Sequence, residues 1–175
     1  MTLIDRQELN LEADLPGYPD LVKSLACWQA WRADAPAPSW TSVNMIDLPA
    51  RLIRSTIVVD VIDAGRDLRF RFWGSALVEL YDAELTGKLF SEVSDKLFGG
   101  LPHAQYQQAI DTIVPSLFRV SIRRPNDIIA NRLNLRLPIA GDDGTVDKVM
   151  TVVEIQELQA PTGGRLDGQQ STGIH

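Results

Sequence analysis

Strand-like alternation occurs in two separate blocks of this sequence, and the segment between the blocks is helical in pattern. The first block contains "STIVVDVID" and "LRFRFWG", and the second contains "SLFRVSIRR", "NRLNLRLPIAG" and "KVMTVVEIQEL". Strands grouped at both ends of a region, with helices between them, are typical of α+β proteins rather than of βαβ units. We therefore predict an α+β fold with a five-stranded antiparallel sheet, whose central helices cover one face and whose other face is wet.

The central segment supplies an aromatic strand that runs directly into an apolar helix. In "LRFRFWG" the alternation predicts that Phe70 and Phe72 share one face of the strand. After Gly74 the period becomes helical, and a second helical segment, "HAQYQQAIDTIV", follows later. The apolar stripes of these two helices include Leu77, Tyr81, Tyr106 and Ile110. We expect both stripes to pack on the aromatic face of the sheet.

A further helix is predicted near the N-terminus, and it carries two tryptophans. Its apolar residues are Leu21, Leu25, Trp28 and Trp31, and the proline-containing "APAPS" ends it. An apolar stripe of this kind needs a partner surface. That partner is either the sheet of the same chain or the same helix of a second chain.

Composition restricts the classes of partner. The chain has 17 Lys and Arg against 23 Asp and Glu, so its net charge of -6 disfavours nucleic-acid binding. The strand arginines, Arg119, Arg123, Arg124, Arg132 and Arg136, are predicted to form a solvated face. A single cysteine, an N-terminus without a secretory pattern and the lack of a run of about 20 apolar residues predict a cytoplasmic protein without a membrane span.

The central motifs resemble those of PAS domains. They are the Arg-Phe alternation of Arg69 to Phe72, the step from Gly74 to Leu77, and the turn from Leu85 to Gly87. In this combination, "RFRFWGSALVELYDAELTGKLFSEV" is similar to a family of small, mostly stand-alone bacterial PAS-like proteins. The resemblance implies a five-stranded sheet that encloses a small interior with its central helices, an N-terminal flanking helix, and a sensory or regulatory role in signal transduction.

The resemblance also suggests how the chain is divided. Residues 1–17 are predicted to be a flexible arm and residues 18–36 the flanking helix. Residues 44–159 are predicted to form the PAS-like domain, and residues 160–175 a disordered tail with little apolar content. The expected ligand-binding residues line the interior: Phe70, Phe72, Leu77, Tyr81, Tyr106, Ile110, Leu135 and Val153. The alternative is that these side chains fill the core and leave no cavity.

Residues for catalysis or cofactor chemistry are few. With His103, His175 and Cys27 as the only histidines and cysteine, a Cys/His zinc site cannot be assembled, and we predict no metal and no catalytic residue. A flavin adduct is excluded because Cys27 precedes the sheet. No cofactor is predicted, although haem bound through His103 stays open as an alternative to a plain helix-start histidine.

Two functions of different class fit these observations. The first is a sensory protein that binds a small apolar or amphipathic molecule and signals through a partner protein. The second is a homodimeric docking module with a filled core, which associates through Leu21, Leu25, Trp28 and Trp31. A small-molecule enzyme is a third alternative and would need a buried carboxylate such as Asp60, which we expect to be solvated or paired instead.

Overall fold

The computed structural model describes residues 2–93, 97, 102–123 and 129–158, and it confirms the α+β class. Within these residues, six strands form an antiparallel sheet with the order β1-β4-β5-β6-β2-β3. The strands are β1 (Thr2–Leu9), β2 (Thr56–Ile62), β3 (Asp67–Trp73), β4 (Ser116–Arg123), β5 (Ile129–Ala140) and β6 (Val146–Leu158). The prediction of five strands is therefore wrong by one.

The additional strand lies in the segment that the sequence predicts to be a flexible arm. Residues Thr2–Leu9 pair along β4, with a register shift between Leu3 and Asp5. Most of the strand's side chains are exposed, so its sequence lacks the apolar alternation that identifies a strand. Pairing at a sheet edge requires only backbone N–H and C=O groups, which every residue here supplies. The arm is thus part of the sheet.

The helices lie on both sides of this sheet. They are α1 (Leu11–Asp14), α2 (Pro19–Arg32), α3 (Ala50–Ile53), α4 (Ser75–Tyr81) and α5 (His103–Thr112). We call the face that packs against α4 and α5 the inner face, and the face that packs against α2 the outer face. The expectation of one wet face is wrong, because α2 lays its apolar stripe on the outer face. Trp28 is buried there and donates a hydrogen bond of 2.8 Å to the Pro138 carbonyl oxygen.

A bulge in β3 separates the two phenylalanines that the alternation placed together. The register of β2 against β3 shifts between Val58 and Val59, where Phe72 and Phe70 are the respective partners. Phe70 and Trp73 consequently belong to the core of the inner face, whereas Phe72 packs against that of the outer face. One inserted residue reverses the direction of every side chain beyond it.

Two glycines hold the central segment against the sheet. A Cβ at Gly74 would overlap the carbonyl oxygen of Arg54, so only glycine allows the close approach between β3 and the segment before β2. Gly87 has a φ of +87° and donates its N–H to the Phe70 carbonyl oxygen at 2.6 Å. The turn at Gly87 therefore fixes the chain after α4 to the edge strand β3.

Two further predictions concern the ends of the chain and the membrane. In the part of the chain that the structure describes, no helix is long and apolar enough to cross a membrane. The tail predicted for residues 160–175 lies outside the described residues.

Candidate ligand cavity and buried arginines

Strand β5 places its leucines and its arginines on opposite faces of the sheet. Leu133, Leu135 and Leu137 belong to the core of the outer face. Because side chains alternate along a strand, Arg132 and Arg136 point to the inner face. They are only 7% and 1% exposed, so the predicted solvated arginine face is wrong at these two positions.

The other strand arginines behave differently. Arg119 is half-buried and Arg123 is exposed. Arg124 lies outside the described residues. Burial of arginine is thus confined, among the described members of the predicted set, to the two on the inner face of β5.

A small cavity lies between the inner face and the central helices. Its volume is about 30 Å³, which is room for one or two water-sized groups. Apolar residues form one part of its lining: Ile57, Phe70, Trp73, Phe90, Pro102, Tyr106 and Val120. Polar residues form the rest: Arg6, Arg132, Asn134, Arg136 and Thr151. None of the described lining residues is acidic.

The aromatic side of the cavity is a packed cluster. The rings of Phe70 and Phe90 stack with centroids 4.7 Å apart, and Tyr106 meets Phe90 edge-on at 5.4 Å. Trp73 meets Phe70 edge-on at 5.3 Å. Such offset and edge-to-face contacts hold the rings in fixed positions. This wall therefore offers a rigid apolar surface.

Arg136 connects strand β5, beside the cavity, to helix α5. Its guanidinium carbon lies 3.8 Å from the ring centroid of Tyr106. Its Nη1 donates to Thr151 Oγ1 at 2.9 Å, and its Nη2 donates to Gln105 Oε1 at 2.7 Å. Both acceptors are neutral. Burial lowers the pKa of Arg136, and the nearby Tyr106 hydroxyl partly opposes that effect.

Arg132 is buried beside the same cavity, but the described structure gives it fewer contacts than Arg136 has. Its guanidinium carbon lies 5.2 Å from the ring centroid of Tyr81. Burial, together with the positive charges of Arg6 and Arg136, lowers the pKa of Arg132 to about 9. A guanidinium with that pKa is still protonated at neutral pH. Among the described residues, the charged side chains that line the cavity are therefore all cationic.

Arg6 brings a third positive charge to this site from β1. Arg6 pairs with Val120 on β4, and Val120 pairs with Arg132 on β5. At the ordinary strand spacing, Arg6 and Arg132 are thus about 10 Å apart at their Cα atoms and point to the same face. Burial lowers the pKa of Arg6 as well. Arg6 was not among the predicted site residues because it lies in the segment predicted to be a flexible arm.

Several carboxylates of the described chain are engaged away from the cavity. Asp60 accepts from Arg71 Nε at 2.7 Å, in agreement with the prediction that this group is solvated or paired. Other ion pairs join Glu79 to Arg54 at 2.8 Å and Glu154 to Arg51 at 3.2 Å. Among the described residues, the charged groups that act on the pKa of Arg132 are the cations Arg6 and Arg136.

The predicted ligand-binding residues divide into three groups. Phe70 and Tyr106 line the cavity. Leu77, Tyr81 and Ile110 pack in the core around it, and Val153 is buried. Phe72 and Leu135 are placed wrongly by the prediction, since both contact the outer-face core. The bulge in β3 accounts for Phe72, and the inward direction of the β5 arginines accounts for Leu135.

The residues predicted to form a dimer contact pack on the chain's own sheet. Leu21 and Trp28 are buried in the outer-face core, and Leu25 and Trp31 are partly buried against it. Trp31 also donates its indole N–H to Asp47 Oδ2 at 2.9 Å. Two partners were predicted as alternatives for this helix. The sheet of the same chain is one of them, and α2 packs on it.

Cys27 and His103, the candidate reactive residues, lie in different surroundings. Cys27 donates its thiol to the Asp47 carbonyl oxygen at 3.3 Å, and burial raises the pKa of that thiol. His103 begins α5 and meets the Phe90 ring edge-on at 5.1 Å. Across the described ranges, no group of three or more His, Cys, Asp or Glu is arranged to hold a metal ion.

Comparison with known proteins gives limited similarity. No family model and no curated protein matches this sequence. Among solved structures, the chain is similar to one described as "Structure of an RNA-binding Light-Oxygen-Voltage Receptor", at 16% identity and a TM-score of 0.39. The match covers 67% of this chain and 35% of that one, so this chain spans about a third of the receptor's length.

Proposed function

We propose that this chain is a PAS-like sensory protein whose ligand binds in the cavity between the inner face and the central helices. The observation that carries the proposal is the composition of the cavity lining, in which aromatic rings face buried arginines. Ligand sites combine an apolar surface with a few converging polar groups, and this lining has both. The ligand is accordingly amphipathic, and the proposal assigns no reaction to the protein.

A route from the cavity to the surface supports a signalling role. Arg136 binds Gln105 on α5, so a ligand that moves this arginine also acts on that helix. The same strand contacts α2 on the outer face through the bond from Trp28 to Pro138. A ligand shifts such elements only if it binds one arrangement more tightly than another. The output partner would be a second protein that contacts α2 or α5.

A cavity-filling variant tests the proposal. Val120→Phe places a ring in the cavity, whereas Val114→Phe makes the same change at an exposed position. Thermal-shift screening of metabolites and native mass spectrometry of protein taken directly from cells should detect a ligand for the wild type and for Val114→Phe. Val120→Phe should show neither shift nor added mass. Absence of any retained mass and any stabilising metabolite with the wild type would refute the proposal.

The small volume of the cavity favours a second candidate, a docking module whose core is filled. In that case the exposed side of α2 would contact a second copy. Trp31 is a better probe than Trp28, because Trp28 is buried in its own chain. Light scattering of Trp31→Ala should then show half the mass of the wild type, and an unchanged mass would exclude this contact.

A further inference from the structure

Among the described residues, Arg132 and Arg136 have neutral neighbours where a counterion is expected. Arg136 binds the hydroxyl of Thr151 and the amide of Gln105, and Arg132 lies against the ring of Tyr81. Within the described residues, the Nε atoms of Arg132 and Arg136 are buried without a hydrogen-bond acceptor. Buried charges in proteins are normally paired, because an unpaired ion loses its hydration without compensation.

The positions of these groups suit one small anion. Arg132, Asn134 and Arg136 alternate along β5, so all three side chains leave the sheet on the same side. All three also line the one cavity, together with Arg6 from β1. Guanidinium N–H groups bind carboxylates and phosphates with charge-assisted hydrogen bonds. The cavity is thus lined by guanidinium donors but by no described carboxylate.

Resting on the proposed function, we infer that the cavity binds the carboxylate of a small organic acid, held by Arg132 and Arg136. The volume of about 30 Å³ is small and limits the ligand to an acid with few carbon atoms. The rings of Phe70 and Phe90 would contact its apolar part. A carboxylate is preferred to a phosphate because the cavity is small and more than half of its described lining residues are apolar.

Propionate and propionamide provide a direct test with the full-length wild type. They have nearly the same shape, and only the first is an anion. At constant ionic strength, millimolar propionate should raise the melting temperature by several degrees, and propionamide should leave it unchanged. Equal shifts from the two compounds would overturn the inference. So would an equal or larger shift from inorganic phosphate or chloride, since the site would then be a general anion site.

Substitution of single arginines tests where propionate binds. Arg132→Met keeps the length and apolar stem of the side chain but removes the donors, and it should weaken propionate binding at least tenfold in calorimetry. Arg119→Met removes the same charge from β4, on the neighbouring strand, and should bind like the wild type. Wild-type affinity in Arg132→Met would contradict the inference. If Arg132→Met does not fold, the comparison of the acid with its amide still decides the matter.

Failure of this inference differs from failure of the proposed function. If no carboxylate binds but native mass spectrometry finds another ligand that is lost in Val120→Phe, the inference is wrong and the sensory function stands. If no ligand of any kind is retained, both are wrong.

Discussion

Both faces of the sheet pack into apolar cores, but only the inner face also buries arginines. The outer face is a dry layer of leucines, valines and a methionine under α2, as expected for a core. The inner face places aromatic rings beside arginines that are almost inaccessible to water. Apolar packing on the outer face stabilises the fold, whereas burial of the charged arginines on the inner face costs free energy. This difference between the two faces is the basis for placing the proposed ligand on the inner face.

The largest effect is expected on the outer face. Trp28→Ala removes a buried indole and its bond to Pro138, and it should reduce the free energy of unfolding by about 3–5 kcal/mol in urea titrations. Val22→Ala, at an exposed position of the same helix, is the control and should change it by less than about 0.5 kcal/mol. A loss for Trp28→Ala no larger than that of its control would show that α2 does not pack as described.

On the inner face we expect the opposite change, an increase in the free energy of unfolding. Without ligand, Arg132→Met replaces a buried charge by an apolar side chain of similar length, which often stabilises a protein by about 1–4 kcal/mol. We expect the unfolding midpoint in urea to rise. A clear fall would mean that Arg132 is already compensated within the folded chain, and the contrast between the two faces would lose its basis.

Arg136 should behave differently from Arg132, because its donors are partly satisfied. Gln105→Met removes the acceptor of Arg136 Nη2 and should cost about 1–3 kcal/mol. The same change at Gln107, on the same helix, is the control. In an Arg136→Met background the cost of Gln105→Met should largely disappear, and persistence of the full cost would show that the two side chains are not coupled.

The smallest effect concerns the chemistry of the ligand. Asn134 Oδ1 is buried beside the cavity without a hydrogen-bond donor among the described residues. A hydroxyl next to the carboxylate would supply one, at a net gain of about 0.5–1.5 kcal/mol. Lactate should therefore bind a few-fold more tightly than propionate in calorimetry, and this preference should vanish in Asn134→Leu. If the wild type bound lactate and propionate with equal affinity, Asn134 would not contact the ligand.

Much of the fold was predictable because it depends on local pattern. The five apolar strands and the helices that contain Leu77 and Tyr106 are each identified by periodicity. Strand β1 was missed because its pairing with β4 uses the backbone, and its side chains, such as Asp5 and Gln7, are polar and exposed.

The candidate site was predicted less well, for a different reason. Alternating Arg and Leu in β5 shows that the strand has two unlike faces, but it does not show which one meets the central helices. Arginine is rarely buried, so the leucines were assigned to the interior cavity and Leu135 to the ligand. Only the packing of α2 on the outer face reverses that assignment. Arg6 also lines the cavity, and it could have been predicted to do so only if β1 had been recognised as a strand.

The most direct test is a crystal structure of the protein grown with 3-bromopropionate. We expect an anomalous bromine peak against the rings of Phe70 and Phe90, with the carboxylate oxygens within hydrogen-bond distance, about 2.7–3.2 Å, of the Arg132 and Arg136 guanidinium groups. A carboxylate side chain of the protein itself between these two arginines, with no bromine in the cavity, would contradict this expectation.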